Sequence, residues 1–349
     1  MSRDQVLEDL RFRSTLGSCG AAAKAAHGQR AFTLVEVLVA MALALLVLGV
    51  TLTLFAGTSR SRGDLERSNR LEENAQFALE IVGEELRHAG FYADVDLAGV
   101  AWQVPDPCAI DPATLGVSHS PFHMPVAIRG YTSTDVTPSC VERRRAGTAA
   151  FTIRRLAADT TVPAAAAGAR FIQISKCNLD VPKLWRFSST PADFTLRNID
   201  CTTVADVRRF LVRTYFVAEC NECGRDTIPT LKRVEFDGDR IVETALVEGV
   251  ENLQAEYGFD RDNDGNADVY LPGLSGIPGA PDNDWVNVVA ARLYVLARSA
   301  DDELGHVEAD RRYDFGQVGV EPGANDAHKR AMIATLVRMP NVAGRRERP

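Results

Sequence analysis

Asp260-Arg261-Asp262-Asn263-Asp264-Gly265-Asn266-Ala267-Asp268 gathers four carboxylates and two carboxamides into one short run. The pattern D-x-D-x-D-G-x-x-D points alternate side chains at one centre, Gly265 permits the sharp turn, and a hard cation such as calcium takes the oxygens. In that geometry Asp260, Asp262 and Asp264 ligate directly, Asn266 offers its backbone carbonyl, and Asp268 acts directly or through water. The glutamate that completes an EF-hand loop is missing, because its position holds Leu271. Asp, Asn and Gly also dominate metal-free turns, so a calcium loop and a plain Asx-rich turn between strands both remain open.

Cys220-Asn221-Glu222-Cys223 is a C-x-x-C with three available chemistries: redox centre, zinc ligand pair or disulfide. A redox pair opens a helix whose N-terminus lowers the thiol pKa, whereas this pair follows a strand-like run and precedes Gly224 and Pro229. Zinc needs a second ligand pair of similar spacing, and Cys177 and Cys201 are not so arranged. Six cysteines (Cys108, Cys140, Cys177, Cys201, Cys220 and Cys223) follow the long apolar run, and Cys19 alone precedes it. An even set on the far side of a membrane points to structural disulfides in an oxidising compartment, with the connectivity left open. His119 and His123 are four apart, but Pro121 between them forbids one helical face. Arg143-Arg144-Arg145 reads as a solvated turn, with a polar contact to an acidic partner as the alternative. No G-x-S-x-G, phosphate-cradling glycine loop or Ser/His/Asp order occurs in the sequence.

The last group with chemical potential is Glu36, the only charge in the 25 residues from Phe32 to Ala56. A span that long and apolar reads as a membrane helix, and a carboxylate inside it costs roughly 2.5–3.5 kcal/mol on insertion scales. No small-residue cleavage site follows closely, so a retained anchor is expected rather than a cleaved secretory signal. The basic residues of the leader place the N-terminus in the cytoplasm. Proline-free, helix-forming sequence continues from Asp64 to Gly90, with Leu71, Ala75, Ala78, Val82, Leu86 and Ala89 at three- and four-residue steps. One helix from Phe32 to about Ala89 would be roughly 85 Å long, with Gly49, Gly57, Gly63 and Gly83 as weak points and Gly90 as terminator.

Beyond Gly90 the sequence turns to short β-like runs at 149–153, 170–174, 210–217, 288–296 and 333–339. No βαβ alternation is visible, so the expected class is α+β: a long N-terminal helix, transmembrane in its first half, packed on an antiparallel sheet. Residues 105–138 read as a proline-rich surface insertion. The expected divisions are a leader over 1–31, a membrane helix over 32–56, its amphipathic continuation over 57–90, a β-rich head over 91–343 and a frayed basic tail over 344–349. The net charge of −8 gives no concentration of Lys and Arg for phosphates, so nucleic acid is not an expected partner.

Ala31-Phe32-Thr33-Leu34-Val35-Glu36, followed by the long apolar helix, resembles the type IV pilin N-terminal motif. The resemblance implies that a prepilin peptidase cuts between Ala31 and Phe32 and that Phe32 becomes an N-methylated terminus. The family favours glycine where Ala31 stands. A narrower resemblance, to the PilW family of minor pilins, is carried by Arg213–Cys220, Ile228–Arg233, Leu246–Leu253, Tyr257–Asp260, Trp285 and Arg292–Ser299. It does not extend to 93–206.

The resemblance implies a non-enzymatic subunit that primes type IV pilus assembly and sits near the tip, serving twitching motility and adhesion. Its partners would be other minor pilins, the major pilin and a tip adhesin. Before assembly it would span the inner membrane once with its head in the periplasm, and afterwards lie in the surface pilus. Glu36 would pair with a neighbouring subunit's positive amino terminus. The nearest rival is a minor pseudopilin of a type II secretion system; a membrane-tethered binding module or hydrolase is the rival of another class.

Overall fold

A computed structural model describes residues 33–166, 168–180, 184–237, 240–303 and 306–347. The chain divides into two units, Met1–Ser61 and Arg62–Pro349. Helix α1 (Leu34–His88) is continuous through all four glycines marked as weak points. In the first unit its most apolar 18-residue window has a mean hydropathy of 2.7, and none of that window is buried among the described residues. The hydroxyls of Thr51 and Thr53 donate to Leu48 O and Val50 O at 2.9 and 2.8 Å, so the polar groups of this span are satisfied within the helix.

In the second unit α1 buries the stripe expected from its spacing: Leu71, Ala75, Ala78, Val82 and Leu86, with Leu79 joining them and Ala89 following. The helix stops at Gly90, whose φ of +70° no L side chain adopts easily, and where a Cβ would lie 2.9 Å from Ala127 Cβ. Its last carbonyls are capped from the far end of the chain. Asn341 Nδ2 donates to Arg87 O at 3.1 Å, and Arg345 Nη1 donates to Gly90 O at 2.9 Å.

Among the described residues fifteen strands follow: β1 (Ala101–Gln103), β2 (His123–Pro125), β3 (Ile128–Tyr131), β4 (Ala150–Leu156), β5 (Phe171–Ile174), β6 (Trp185–Ser188), β7 (Val207–Ala218), β8 (Thr230–Asp237), β9 (Arg240–Glu248), β10 (Val250–Phe259), β11 (Val269–Leu271), β12 (Val288–Arg298), β13 (Arg312–Asp314), β14 (Val320–Pro322) and β15 (Arg330–Arg338). Seven form an antiparallel sheet around β7, which pairs with β4 along one edge and with both β5 and β8 along the other. Beyond them lie β3, β6 and β9. A second antiparallel sheet has the order β11-β10-β12-β15. Two three-residue pairs complete the set, β1 with β2 in parallel and β13 with β14 antiparallel.

The apolar faces of both sheets meet the stripe of α1 in one core that includes Phe151, Tyr215, Leu231, Leu253, Tyr257, Phe259 and Leu293. Strand β10 is buried along its whole length. Leu253, Ala255, Tyr257 and Phe259 belong to that core, and the alternation of a strand puts Asn252, Gln254 and Glu256 on the opposite face. There Asn252 donates to Glu321 of β14 at 2.6 Å, and Gln254 donates to Gly147 O at 2.6 Å. The fully buried Glu256 carboxylate accepts from Arg292 Nη1 at 2.9 Å, Tyr294 Oη at 3.2 Å and the Gln317 amide. Across the first sheet, Glu85 of α1 takes a two-bond contact from Arg155 and another bond from Arg213 at 2.6 Å. Burial pushes the Glu85 carboxyl up, but the two guanidinium groups outweigh it and hold it below the usual carboxylate range.

Three expectations are corrected. The 344–349 tail is not frayed over its described part: Pro340–Arg346 is helix α2, with Val342 and Ala343 buried. Residues 105–138 are not a surface insertion throughout, because Leu115, Met124, Val126, Ile128 and Tyr131 enter the cores. The Arg143–Arg145 run is not a solvated turn. Only Arg143 is exposed; Arg144 donates to Thr132 O at 2.7 Å and Arg145 pairs with Glu251 at 3.0 Å.

Candidate functional site

At the start of α1, Thr33 stands just before the first helical residue and Glu36 lies three positions on. The Thr33 amide and hydroxyl both donate to Glu36 Oε2 at 2.9 Å, and the Glu36 amide donates back to Thr33 Oγ1 at 3.3 Å. This reciprocal pair is a capping box, the T-x-x-E pattern that satisfies two orphan amides of a helix start. The carboxylate therefore has partners inside its own chain, and it is exposed among the described residues of the unit. Thr33 was not among the residues singled out in the sequence, although its spacing from Glu36 was the signal. The cleavage pair Ala31 and Phe32 lies outside the described residues, as does the 1–31 leader.

The acidic run is the connection between β10 and β11. Asp268 N donates to Phe259 O at 2.9 Å and closes the hairpin, while Asn263 and Gly265 take positive φ values of 67° and 86°. Asp260, Asp262 and Asp268 bring carboxylate oxygens within 4.8 Å of one another, close enough to share a calcium shell with oxygens at about 2.3–2.6 Å from the ion. The Asp264 carboxylate is not one of this group of three. Asp264 accepts from the Asn266 amide at 2.7 Å and from Asn266 Nδ2 at 3.2 Å, so these residues are tied to each other in an Asx turn.

The carboxylate of Asp260, with no exposed side-chain surface, is already bonded. It accepts from the Asn263 amide at 2.7 Å and the Gly265 amide at 3.0 Å, and faces Arg346 Nη1 at 3.3 Å. Arg346 also reaches Val286 O at 3.2 Å, which seats α2 against the loop. At Gly265 a Cβ would stand 2.6 Å from Glu347 Cγ and 2.9 Å from Ala343 O. The Asp262 carboxyl is pushed up by loss of water around it and by the neighbouring Asp264, Asp268 and Asp260 charges. Arg346 was invisible to motif reading because it is 86 residues from Asp260.

All six cysteines of the head are paired as Cys108–Cys140, Cys177–Cys201 and Cys220–Cys223. The C-x-x-C is thus a local disulfide, at the end of β7. The Asp226 carboxylate accepts the Asn221 and Glu222 amides at 2.8 and 2.7 Å and braces the turn. The His119 ring lies against Trp185 with centroids 5.2 Å apart, and His123 belongs to β2.

Residues 214–341 match the family model described as Type IV Pilus-assembly protein W, and residues 26–52 match the Prokaryotic N-terminal methylation motif. No curated protein matches the chain. Among solved structures, the chain is similar to a type IV-like pilin, TTHA1219 from Thermus thermophilus, at 13% identity over 78% of this chain and 98% of that one, with a TM-score of 0.34.

Proposed function

We propose that this chain is a type IV pilin-like protein of the PilW minor pilin family, a structural, non-enzymatic subunit that primes pilus assembly and stands near the tip. The precursor sits in the inner membrane through the first half of α1 with its head in the periplasm. Prepilin peptidase removes the leader between Ala31 and Phe32, and Phe32 is methylated. On assembly the apolar helix leaves lipid and is reburied against the helices of other minor pilins and the major pilin. The carboxylate of Glu36 exchanges its bonds with Thr33 for a neighbour's positive amino terminus. A buried charge matched in this way fixes register more than it adds stability.

The observation that carries this reading is the start of α1. A helix apolar enough to span a membrane, with its most apolar window unburied among the described residues, opens with one carboxylate three residues from its cap. The test is the mass of the mature amino terminus together with a deletion. A methylated Phe32 terminus, with loss of surface pili and twitching in the deletion strain, supports the proposal. Loss of protein secretion with pili intact supports the type II pseudopilin instead, and an unprocessed leader removes both.

A calcium ion held by Asp260, Asp262 and Asp268 is proposed as a staple of the β10–β11 turn. Calorimetric titration of the processed chain against the Asp262→Ala variant checks it, and equal heats from the two proteins end it.

A further inference from the structure

Between the two matched segments, the chain builds a slot along one edge of the seven-stranded sheet. Strand β6 is the terminal strand there, and β5 is its only strand partner among the described residues. The Ser175 amide donates to Leu184 O at 2.8 Å, which fixes the parity of the ladder. In an antiparallel pair the bonded positions alternate, so the amides and carbonyls of Arg186 and Ser188 face β5 while those of Trp185 and Phe187 face away.

A groove of about 520 Å³ follows this edge, and Leu184, Trp185, Arg186 and Phe187 all line it. Successive side chains of a strand point to opposite faces. Four in a row share one groove only where it runs beside the strand. The opposite wall includes Val117, which is buried, and His119, whose ring rests against Trp185. Leu184 keeps 39% of its surface exposed. Among the described residues that line the groove, Arg186 carries the one guanidinium and none is a carboxylate. Edge strands are ordinarily blunted by charge, proline or cover, yet Trp-Arg-Phe-Ser has one charge and no proline.

We propose that this slot takes an extended segment of a partner protein, alternating apolar and acidic residues, which adds to β6 as a further strand. The main-chain groups of Trp185 and Phe187 supply the ladder. Val117 and Trp185 receive the apolar side chains, and Arg186 receives the acidic ones. Backbone bonds of this kind give affinity, and the flanking pockets give specificity.

The test uses the processed full chain in lipid nanodiscs and residue-resolved amide exchange. The probes are a blocked peptide alternating glutamate and valine and its lysine–valine counterpart. The acidic peptide is expected to slow exchange at the Trp185 and Phe187 amides by roughly tenfold or more while leaving Arg186, already bonded to β5, unchanged. Arg186→Glu is expected to abolish that protection and transfer it to the lysine peptide, which also reports that the variant is folded. The proposal is overturned if neither peptide protects these amides, or if both protect them equally in the native chain. It is also overturned if protection rises with protein concentration alone, the signature of a second copy occupying the edge.

Discussion

At the scale of single residues, the chain places its charges where a backbone or a distant partner answers them. Thr33 and Glu36 answer each other, and Thr33→Val removes one donor to the carboxylate and the acceptor of the Glu36 amide. Loss of such a cap is expected to cost about 1 kcal/mol in the first turn, read as faster amide exchange over residues 33–37 in micelles with the head unaffected. The Asp326 carboxyl is held at about 2 by the Arg330 guanidinium. A depressed carboxyl contributes stability above its ordinary value of 3.8 and loses it as pH falls toward 2. Acid denaturation should therefore steepen over that window, and Asp326→Asn should flatten it; identical pH profiles would dismiss the pair as a stabilising contact. Gly130 presents a third case, since a Cβ there would run into the ring and hydroxyl of the buried Tyr257. Gly130→Ala is expected to cost about 1–3 kcal/mol by overpacking, measured by denaturant unfolding. The acidic loop, the cysteines and Glu36 could be singled out in the sequence because their residue types and spacing are local. Arg346 at Asp260 and Glu251 at Arg145 could not, because only the folded chain brings them together.

At the scale of elements, the helix was legible and part of the sheet was not. The stripe from Leu71 to Ala89 repeats with helical period and needs no knowledge of what it packs on. Leu86, fully buried on that stripe, is expected to cost about 2–5 kcal/mol as Leu86→Ala, and a variant of native stability would mean that the helix does not dock where it is placed. Strands β8, β9 and β10 went unmarked. In β10 the alternation of Leu253, Ala255, Tyr257 and Phe259 with Gln254 and Glu256 was a strand signal that went unused, while the partners that let its polar face be buried lie far away in sequence. Helix α2 was mistaken for a loose end because its basic residues are tied down by carbonyls and a carboxylate far away in sequence. Asn341→Ala withdraws a cap from the Arg87 carbonyl, and faster exchange confined to the last turn of α1 and to α2 is the expected result.

At the scale of the whole molecule, the expected antiparallel architecture is present, and its cross-links fall unevenly. Cys108–Cys140 and Cys177–Cys201 close loops in the stretch that neither family model matches. The first spans 32 residues, and a loop of that size is worth about 3–4 kcal/mol in the chain-entropy account. The double variant Cys108→Ser, Cys140→Ser should lose that much in denaturant unfolding while keeping the β10–β12 ladder protected from exchange. The joint between α1 and α2 also has a mechanical meaning. The end of the helix is tied by Asn341 and Arg345 to a segment that continues directly from β15, and β15 is laced along its whole length to β12. A pull on the head end of α1 is thereby passed to a ladder loaded along its strands, where many bonds must fail together rather than one after another. Single-molecule pulling should find one high-force event in the head, and Asn341→Ala should split it into weaker steps.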